Sequence, residues 1–130
     1  MLTKITHITL FTNDQDLALN FYQKLGFKIH TDAMFGEMRW LTLHLPEQKE
    51  LELVLLKAES ESEKALVGKQ TGDKPVFNFE SSNCLADYES LSAVGVNFLA
   101  KPETQPWGTS AAFTDADGNV LYMCQSVVSY

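Results

Sequence analysis

The stretch HITLFTNDQDLALNFYQKLGFKI, residues 7–29, decides the fold of this chain. Its beginning, with the residues just before it, alternates between apolar and polar side chains, which predicts a strand over residues 3–11. Apolar side chains then recur every four residues, which predicts a helix over residues 14–25. Asn13 or Asp14 is a suitable N-cap, because its side chain can accept hydrogen bonds from the free amides of the first turn. The stretch therefore indicates a strand that runs into an amphipathic helix.

The same pattern returns further along the chain. A shift of 69 positions places VFNFESSNCLADYESLSAVGVNF, residues 76–98, on the first stretch. A second strand over 75–81 and a second helix over 83–94 are expected there. Gly26 and Gly95 fall on the same position of the two copies, where a left-handed residue ends a helix. The register of these glycines favours an internal duplication.

Three strands are expected after each helix. They are predicted at residues 27–31, 38–45 and 50–57 in the first copy and at 96–100, 109–114 and 119–125 in the second. The turn DADGN, residues 115–119, joins the last two strands as a hairpin. The polar segment 58–73 connects the copies and can hold one helical turn. The prediction is an α+β fold of two tandem βαβββ modules that form a curved mixed sheet around a cavity.

Length and composition narrow the class of protein. With 130 residues, the chain is expected to form one domain, with module one at about 1–57, a linker at 58–73 and module two at about 74–126. The net charge is −7, and no cluster of Lys and Arg predicts nucleic-acid binding. No apolar stretch is long enough to predict a membrane span, and no signal peptide is expected at the start. Two cysteines without metal-type spacing favour a cytoplasmic protein with reduced thiols.

Four stretches together resemble one known family. They are ITHITLFTNDQDLALNFYQKLGFKI at 5–29, RWLTLHLPEQKELELVLL at 39–56, PWG at 106–108 and FTDADGNVLYMCQ at 113–125. The resemblance is to the vicinal oxygen chelate superfamily, which includes glyoxalase I, extradiol dioxygenases, fosfomycin-resistance enzymes and bleomycin-resistance proteins. It implies the glyoxalase/bleomycin resistance/dioxygenase fold. The reaction is not implied, because this superfamily hosts isomerases, oxygenases, transferases and binding proteins on one fold.

The resemblance also implies where a metal would be bound. Metal-using members of the superfamily take a histidine from the first strand of a unit and a glutamate from the last strand. His7 and Glu52 occupy these positions in the first unit, whereas Val76 and Tyr122 occupy them in the second. One histidine and one carboxylate are fewer protein ligands than Zn, Ni or Fe usually recruit. We therefore expect no metal site and no cofactor, and a water-completed divalent ion at His7 and Glu52 is the less favoured alternative.

Several side chains are candidates for a ligand pocket. The expected pocket residues are His7, Thr9, Trp40, Glu52, Trp107 and Tyr122. His7 and Glu52 are also the candidate catalytic residues, because a carboxylate–imidazole pair can act as a general base. His7 as a purely structural histidine, and each tryptophan as core or interface packing, remain alternatives. His30 and His44 have no recognisable partner pattern, and Cys84 is interpreted as a buried thiol.

Three functions stay open on this basis. The leading one is a glyoxalase/bleomycin-resistance-like protein that binds a small organic molecule, has an incomplete metal site and forms a homodimer. The second is a metal-dependent enzyme, a lyase or isomerase of glyoxalase type or a dioxygenase, that uses His7 and Glu52. The third is a protein-interaction module whose concave face is filled by a partner.

Overall fold

The chain folds into two compact units, each built on a β-sheet with one long helix. A computed structural model describes residues 1–127. The first unit is Met1–Val67 and the second begins at Gly68, within the segment predicted to connect the copies. Strands and helices are mixed in both units, which confirms the α+β fold class. No helix of the described residues is long and apolar enough to cross a bilayer.

The first unit has the order β-α-β-β-β. Its elements are β1 (His7–Thr12), α1 (Gln15–Lys24), β2 (Lys28–Phe35), β3 (Met38–Leu45), β4 (Gln48–Lys57) and the short α2 (Glu61–Lys64). The strands form one sheet in the order β1-β4-β3-β2. β1 runs parallel to β4, and the other neighbours are antiparallel. The crossover through α1 therefore places the first strand beside the last.

Helix α1 begins and ends where the sequence predicts. The side chain of Asp14 accepts hydrogen bonds from the amides of Asp16 and Leu17, so Asp14 rather than Asn13 is the N-cap. Gly26, with φ of 105°, follows the helix in the left-handed conformation. The apolar side chains between the sheet and α1 are buried, namely Leu10, Leu41, Leu43, Leu53, Leu55, Ala18, Phe21 and Tyr22. Every second residue of these strands therefore points toward the helix, and the residues between them lie on the opposite face.

Arg39 ties β3 to β2 and to α1. Its Nε and Nη2 donate to the two carboxylate oxygens of Asp32, each at 2.9 Å, and its Nη1 donates to Asp16 at 2.8 Å. The hydrogen bonds from this guanidinium hold the pKa of the Asp32 carboxyl below its ordinary value. The buried Gln15 donates to the carbonyl oxygens of Arg39 and Leu55. These polar contacts fix the helix start over the sheet.

The second unit repeats the order with one added strand. Its elements are β5 (Phe77–Glu80), α3 (Cys84–Ala93), β6 (Asn97–Phe98), β7 (Glu103–Gln105), β8 (Gly108–Thr114) and β9 (Val120–Ser126). The sheet order is β5-β9-β8-β6, and β7 also pairs with β8. Asn83 caps α3, and Gly95 follows it with φ of 92°. In the turn before β9, the carboxylate of Asp115 accepts the amides of Asp117 and Asn119 and the side-chain amide of Asn119.

Some element boundaries differ from those predicted. β1 begins at His7 instead of residue 3, because its ladder with β4 begins at the pair His7–Glu52. The strand predicted at 96–100 is only Asn97–Phe98, and the unpredicted β7 follows it on the same edge of β8. Pro102 lies between the two short strands and has no amide to donate, which breaks the ladder there. β2 extends to Phe35, beyond the predicted end at residue 31, because the β2–β3 hairpin stays paired to its turn.

Candidate functional site

The face of the first sheet opposite α1 carries four of the six predicted pocket residues. His7 and Thr9 lie on β1, Glu52 on β4 and Trp40 on β3. His7 is opposite Glu52 in the parallel ladder, so the two side chains lie on the same face. The side-chain nitrogen Nε2 of His7 is 3.1 Å from Oε2 of Glu52. The imidazole–carboxylate pair predicted from the sequence is therefore formed within the first unit.

The Glu52 carboxylate is the centre of a larger polar cluster. Its Oε1 accepts a hydrogen bond from the Thr42 hydroxyl at 2.8 Å and lies 2.9 Å from Nδ1 of His30. The Glu52 side chain is only 15% exposed, while those of His7 and His30 are 41% and 40% exposed. Both carboxylate oxygens are therefore occupied from within the sheet, and the histidine rings form the accessible surface.

His30 lies at a β-bulge within this cluster. On β2, Ile29 pairs with Leu43 and Thr31 pairs with Thr42, so His30 is an extra residue without an opposite partner in the ladder. Such an insertion changes the direction of the extra side chain. The ladder between β3 and β4 is also irregular beyond the pair Leu43–Leu53. The backbone of the sheet is thus interrupted at the place where the polar side chains meet.

Aromatic rings surround the cluster. The centroid of the Trp40 ring is 6.2 Å from that of His7, and the planes are tilted by 48°. The rings of His30 and His44 meet edge to face, with centroids 5.2 Å apart. His44 is half-buried, and its Nδ1 atom is buried without a hydrogen-bond partner. All three histidines of the chain therefore lie on this one face.

The residues do not form a ready metal site in the first unit. The Nε2 atom of His7 faces Glu52, and its Nδ1 is 2.8 Å from the Thr6 hydroxyl. A metal ion would have to displace these contacts and those of Thr42 and His30 with the Glu52 oxygens. Among residues 1–127, no group of three or more His, Cys, Asp or Glu side chains is arranged to hold a metal ion. The absence of a metal cofactor remains a prediction.

The other two predicted pocket residues lie in the second unit. Tyr122 is half-buried on β9, opposite Asn78 of β5. The Val76 amide donates to the Val120 carbonyl at 2.9 Å. Trp107 lies between β7 and β8 and is 57% exposed. Tyr122 is thus opposite Asn78 and not Val76, so the two residues expected at the metal-ligand positions do not repeat the His7–Glu52 pair of the first unit.

Cys84 is a buried thiol, as the sequence predicts. It lies at the start of α3 and is fully buried. Burial raises the pKa of the Cys84 thiol. The backbone amide of Cys84 donates to the side chain of Gln125, so this helix end is satisfied by protein. A nucleophilic role for Cys84 is not supported by this environment.

A separate cavity of about 470 Å³ lies in the first unit. Its lining includes Arg39, Lys57 and Glu63 as well as the apolar side chains of Met34 and Met38, but none of the three histidines and not Glu52. The volume is within the usual range for small-molecule pockets. Arg39 is already paired with Asp16 and Asp32, so the cavity offers no unpaired guanidinium to an anion. This cavity is a second candidate location for a ligand, and experiments with variants have to distinguish it from the sheet face that carries the three histidines.

Comparisons with known proteins identify a family and several relatives of this chain. The sequence profile of the Glyoxalase/Bleomycin resistance protein/Dioxygenase superfamily matches residues 4–123. YurT, an uncharacterized protein of Bacillus subtilis (strain 168), is 34% identical over 125 residues, which cover 94% of this chain and 98% of YurT. The crystal structure of UcmS2 is 36% identical with a TM-score of 0.86, covering 97% of this chain and 100% of UcmS2. TnmS3, an antibiotic binding protein from Streptomyces sp. CB03234, has a TM-score of 0.77, and the match covers 96% of this chain and 97% of TnmS3. Because the identity is only 24%, this likeness shows a shared fold alone.

Proposed function

The chain belongs to the Glyoxalase/Bleomycin resistance protein/Dioxygenase superfamily, and from this premise we propose that it binds a small organic molecule without a metal ion. The proposed contact surface is the face of the first sheet that carries His7, Thr9, Trp40 and Glu52. One observation carries the proposal: both carboxylate oxygens of Glu52 are engaged by protein groups. A carboxylate held in this way orients the side chains around it instead of serving as a vacant metal ligand.

The chemistry of this face suits an organic ligand. Two half-exposed imidazole rings form part of the surface, and the Trp40 ring lies beside that of His7. A few convergent polar groups next to aromatic surface are typical of small-molecule sites. Trp107 and Tyr122, on the second unit, stay proposed pocket residues by the family resemblance. The reaction, if the protein catalyses one, is not part of this proposal.

A thermal-shift screen tests the proposal. The native protein and the variants Trp40→Ala and Met38→Ala are heated with a collection of small aromatic compounds, each with and without divalent ions. Binding to the native state raises the unfolding temperature, and a ligand at 100 times its Kd adds about 2.7 kcal/mol. We expect hits that need no ion, are lost in Trp40→Ala and persist in Met38→Ala. Hits that are lost in Met38→Ala alone would place the ligand in the separate cavity and contradict the proposal.

The metal-dependent enzyme is the rival function. The parallel pair His7–Glu52 favours it, because this is the half-site that the family resemblance implies for a divalent ion. Elemental analysis of protein purified without chelator separates the two functions. We expect no stoichiometric Zn, Ni or Fe. About one ion per chain, together with lactoylglutathione formation or catechol cleavage that is lost in His7→Ala, would establish the rival instead.

We also propose that the protein is a cytoplasmic homodimer. The free thiols of Cys84 and Cys124 support a reducing compartment. Met34, Phe35 and Met38, around the β2–β3 turn, are large apolar side chains that are 43–61% exposed, and such exposure is typical of association surfaces. Sedimentation equilibrium should give twice the chain mass, and Phe35→Ser should shift the equilibrium toward monomer. A wild-type protein that stays monomeric at high concentration would refute the dimer, and a dimer that Phe35→Ser leaves unchanged would refute the β2–β3 turn as its interface.

A further inference from the structure

His30 is bound to Glu52 through one specific ring nitrogen. Its Nδ1 atom is 2.9 Å from the carboxylate and 3.2 Å from the Thr31 hydroxyl. A carboxylate can only accept hydrogen bonds, so in the neutral ring the proton resides on Nδ1. The other nitrogen, Nε2, then carries a lone pair. The carboxylate thus fixes which nitrogen of His30 is the donor and which is the acceptor.

His7 is held in the opposite tautomer by the same carboxylate. Its Nε2 is 3.1 Å from Glu52, so Nε2 carries the proton in the neutral ring. Its Nδ1, 2.8 Å from the Thr6 hydroxyl, accepts from that hydroxyl. Both nitrogens of His7 are therefore occupied within the protein. Of the two histidines on Glu52, His30 has the ring nitrogen for which the cluster supplies no partner.

We infer that His30 is a ligand-binding residue whose Nε2 accepts a hydrogen bond from a planar ligand with an O–H or N–H donor, such as a phenol. The inference rests on the proposed function of the same face. The ring of His30 is 40% exposed, and His44 packs edge-on against it and restricts its rotation. A phenol or an azole matches an aromatic surface that offers one fixed acceptor.

Strand alternation is consistent with His30 on the face of Glu52. Lys28 and His44 are opposite each other in the ladder, and a regular register would continue to Ile29–Leu43 and then to His30–Thr42. The bulge shifts the pairing, so that Thr31 is opposite Thr42 and Asp32 is opposite Leu41. It therefore changes the face of the residues after His30, whereas His30 lies at the bulge and contacts Glu52 on the strand beyond β3.

Nitrogen-15 NMR of the native protein tests the tautomer directly. The chain has three histidines, so a long-range spectrum at mildly alkaline pH contains three ring patterns, which single His→Asn variants assign. We expect the proton on Nδ1 of His30 and on Nε2 of His7. A proton on Nε2 of His30 would overturn the inference. This measurement uses the wild-type chain, so it stands even if a variant folds poorly.

A matched pair of probes tests the ligand class. 4-Cresol carries a hydroxyl donor, and 4-methylanisole has the same shape around the ring but no donor. In the wild type, 4-cresol should perturb Nε2 of His30 and bind about 2- to 12-fold more tightly than 4-methylanisole, as expected for one neutral hydrogen bond. His30→Asn keeps an N–H group for Glu52 but lacks Nε2, so this preference should vanish in it.

The outcomes separate this inference from the proposed function. Equal binding of the two probes in the wild type, or an unchanged preference in His30→Asn, would overturn the role of His30. If screening hits still depend on Trp40 in that case, the proposed function stands without the inference. If neither probe perturbs any histidine, the ligand class is wrong. If the Trp40-dependent hits are absent as well, the proposed function fails with it.

Discussion

Thr42 is the fixed support of the Glu52 carboxylate, and replacing it by valine tests the cluster most cleanly. Thr42 is fully buried, and its hydroxyl donates to Glu52 at 2.8 Å. A hydrogen bond to a charged group contributes about 1.5–3 kcal/mol, and the added methyl of Thr42→Val regains about 0.8 kcal/mol of apolar burial. We therefore expect the free energy of unfolding to fall by about 1–2 kcal/mol.

Urea denaturation followed by circular dichroism measures this loss. Since the slope m of a small domain in urea is about 1–3 kcal/mol/M, the midpoint should fall by roughly 0.3–2 M with m unchanged. A double-mutant cycle with Glu52→Gln isolates the pair. In the Glu52→Gln background the loss should shrink, because the hydrogen bond is then between neutral groups. A Thr42→Val protein within about 0.5 kcal/mol of wild type would refute the reasoning, as that is the range of ordinary surface substitutions.

Three further predictions concern other parts of the chain. Because Arg39 lowers the pKa of Asp32 in the folded protein, the ion pair stabilises the fold at pH values above the ordinary carboxyl pKa of about 3.9. This stabilisation is lost as the pH falls through the lower pKa that Asp32 has in the folded protein. The stability difference between wild type and Asp32→Asn should therefore vanish in acid titrations, and a difference that grows on acidification would contradict it. Because burial raises the pKa of the Cys84 thiol, iodoacetamide should label Cys124 in the native protein but Cys84 only after unfolding. Mass spectrometry maps the labelled residues, and equal labelling of Cys84 and Cys124 in the native protein would contradict the prediction. Gly108→Ala should destabilise the protein through two effects: backbone strain at positive φ, which alone costs roughly 1–2 kcal/mol, and a collision of the new β-carbon with the Gln125 carbonyl. The total loss should therefore exceed roughly 1–2 kcal/mol, and thermal melts that show a smaller loss would argue against this contact.

The parts of the site that sequence reasoning could reach are those that follow regular strand geometry. His7 and Glu52 lie on two strands that pair in register, and alternation places both on one face. Trp40 follows from the same alternation along β3, whereas Thr42, on the same face, is not among the expected pocket residues. The family resemblance supplies the pairing of the first and last strands of the unit. His7, Glu52 and Trp40 could therefore be named from the sequence.

Sequence reasoning missed the contact of His30 with Glu52 and the strand β7. Alternation is compatible with His30 and His44 on the face of Glu52, but the contact joins side chains of two strands that are not neighbours, which only the folded sheet shows. The bulge at His30, which no local residue pattern marks, shifts the register of the rest of β2. The strand β7 arises from the interruption at Pro102, which divides one predicted edge strand into two. Where a strand contains an extra residue or is interrupted depends on its pairing in the folded sheet, and the alternation of residues in the sequence does not show it.

The two units differ at the position of the imidazole–carboxylate pair. Both units use a parallel pair of strands after the same strand–helix crossover. The first unit places His7 beside Glu52, whereas the second has Val76 and Tyr122 at the positions that the family resemblance implies. In the first unit the Glu52 oxygens already have protein partners, and the remaining capacity for hydrogen bonding is on Nε2 of His30. Recognition of an organic ligand requires no metal-binding group from Val76 or Tyr122, and for that reason we propose binding instead of metal chemistry.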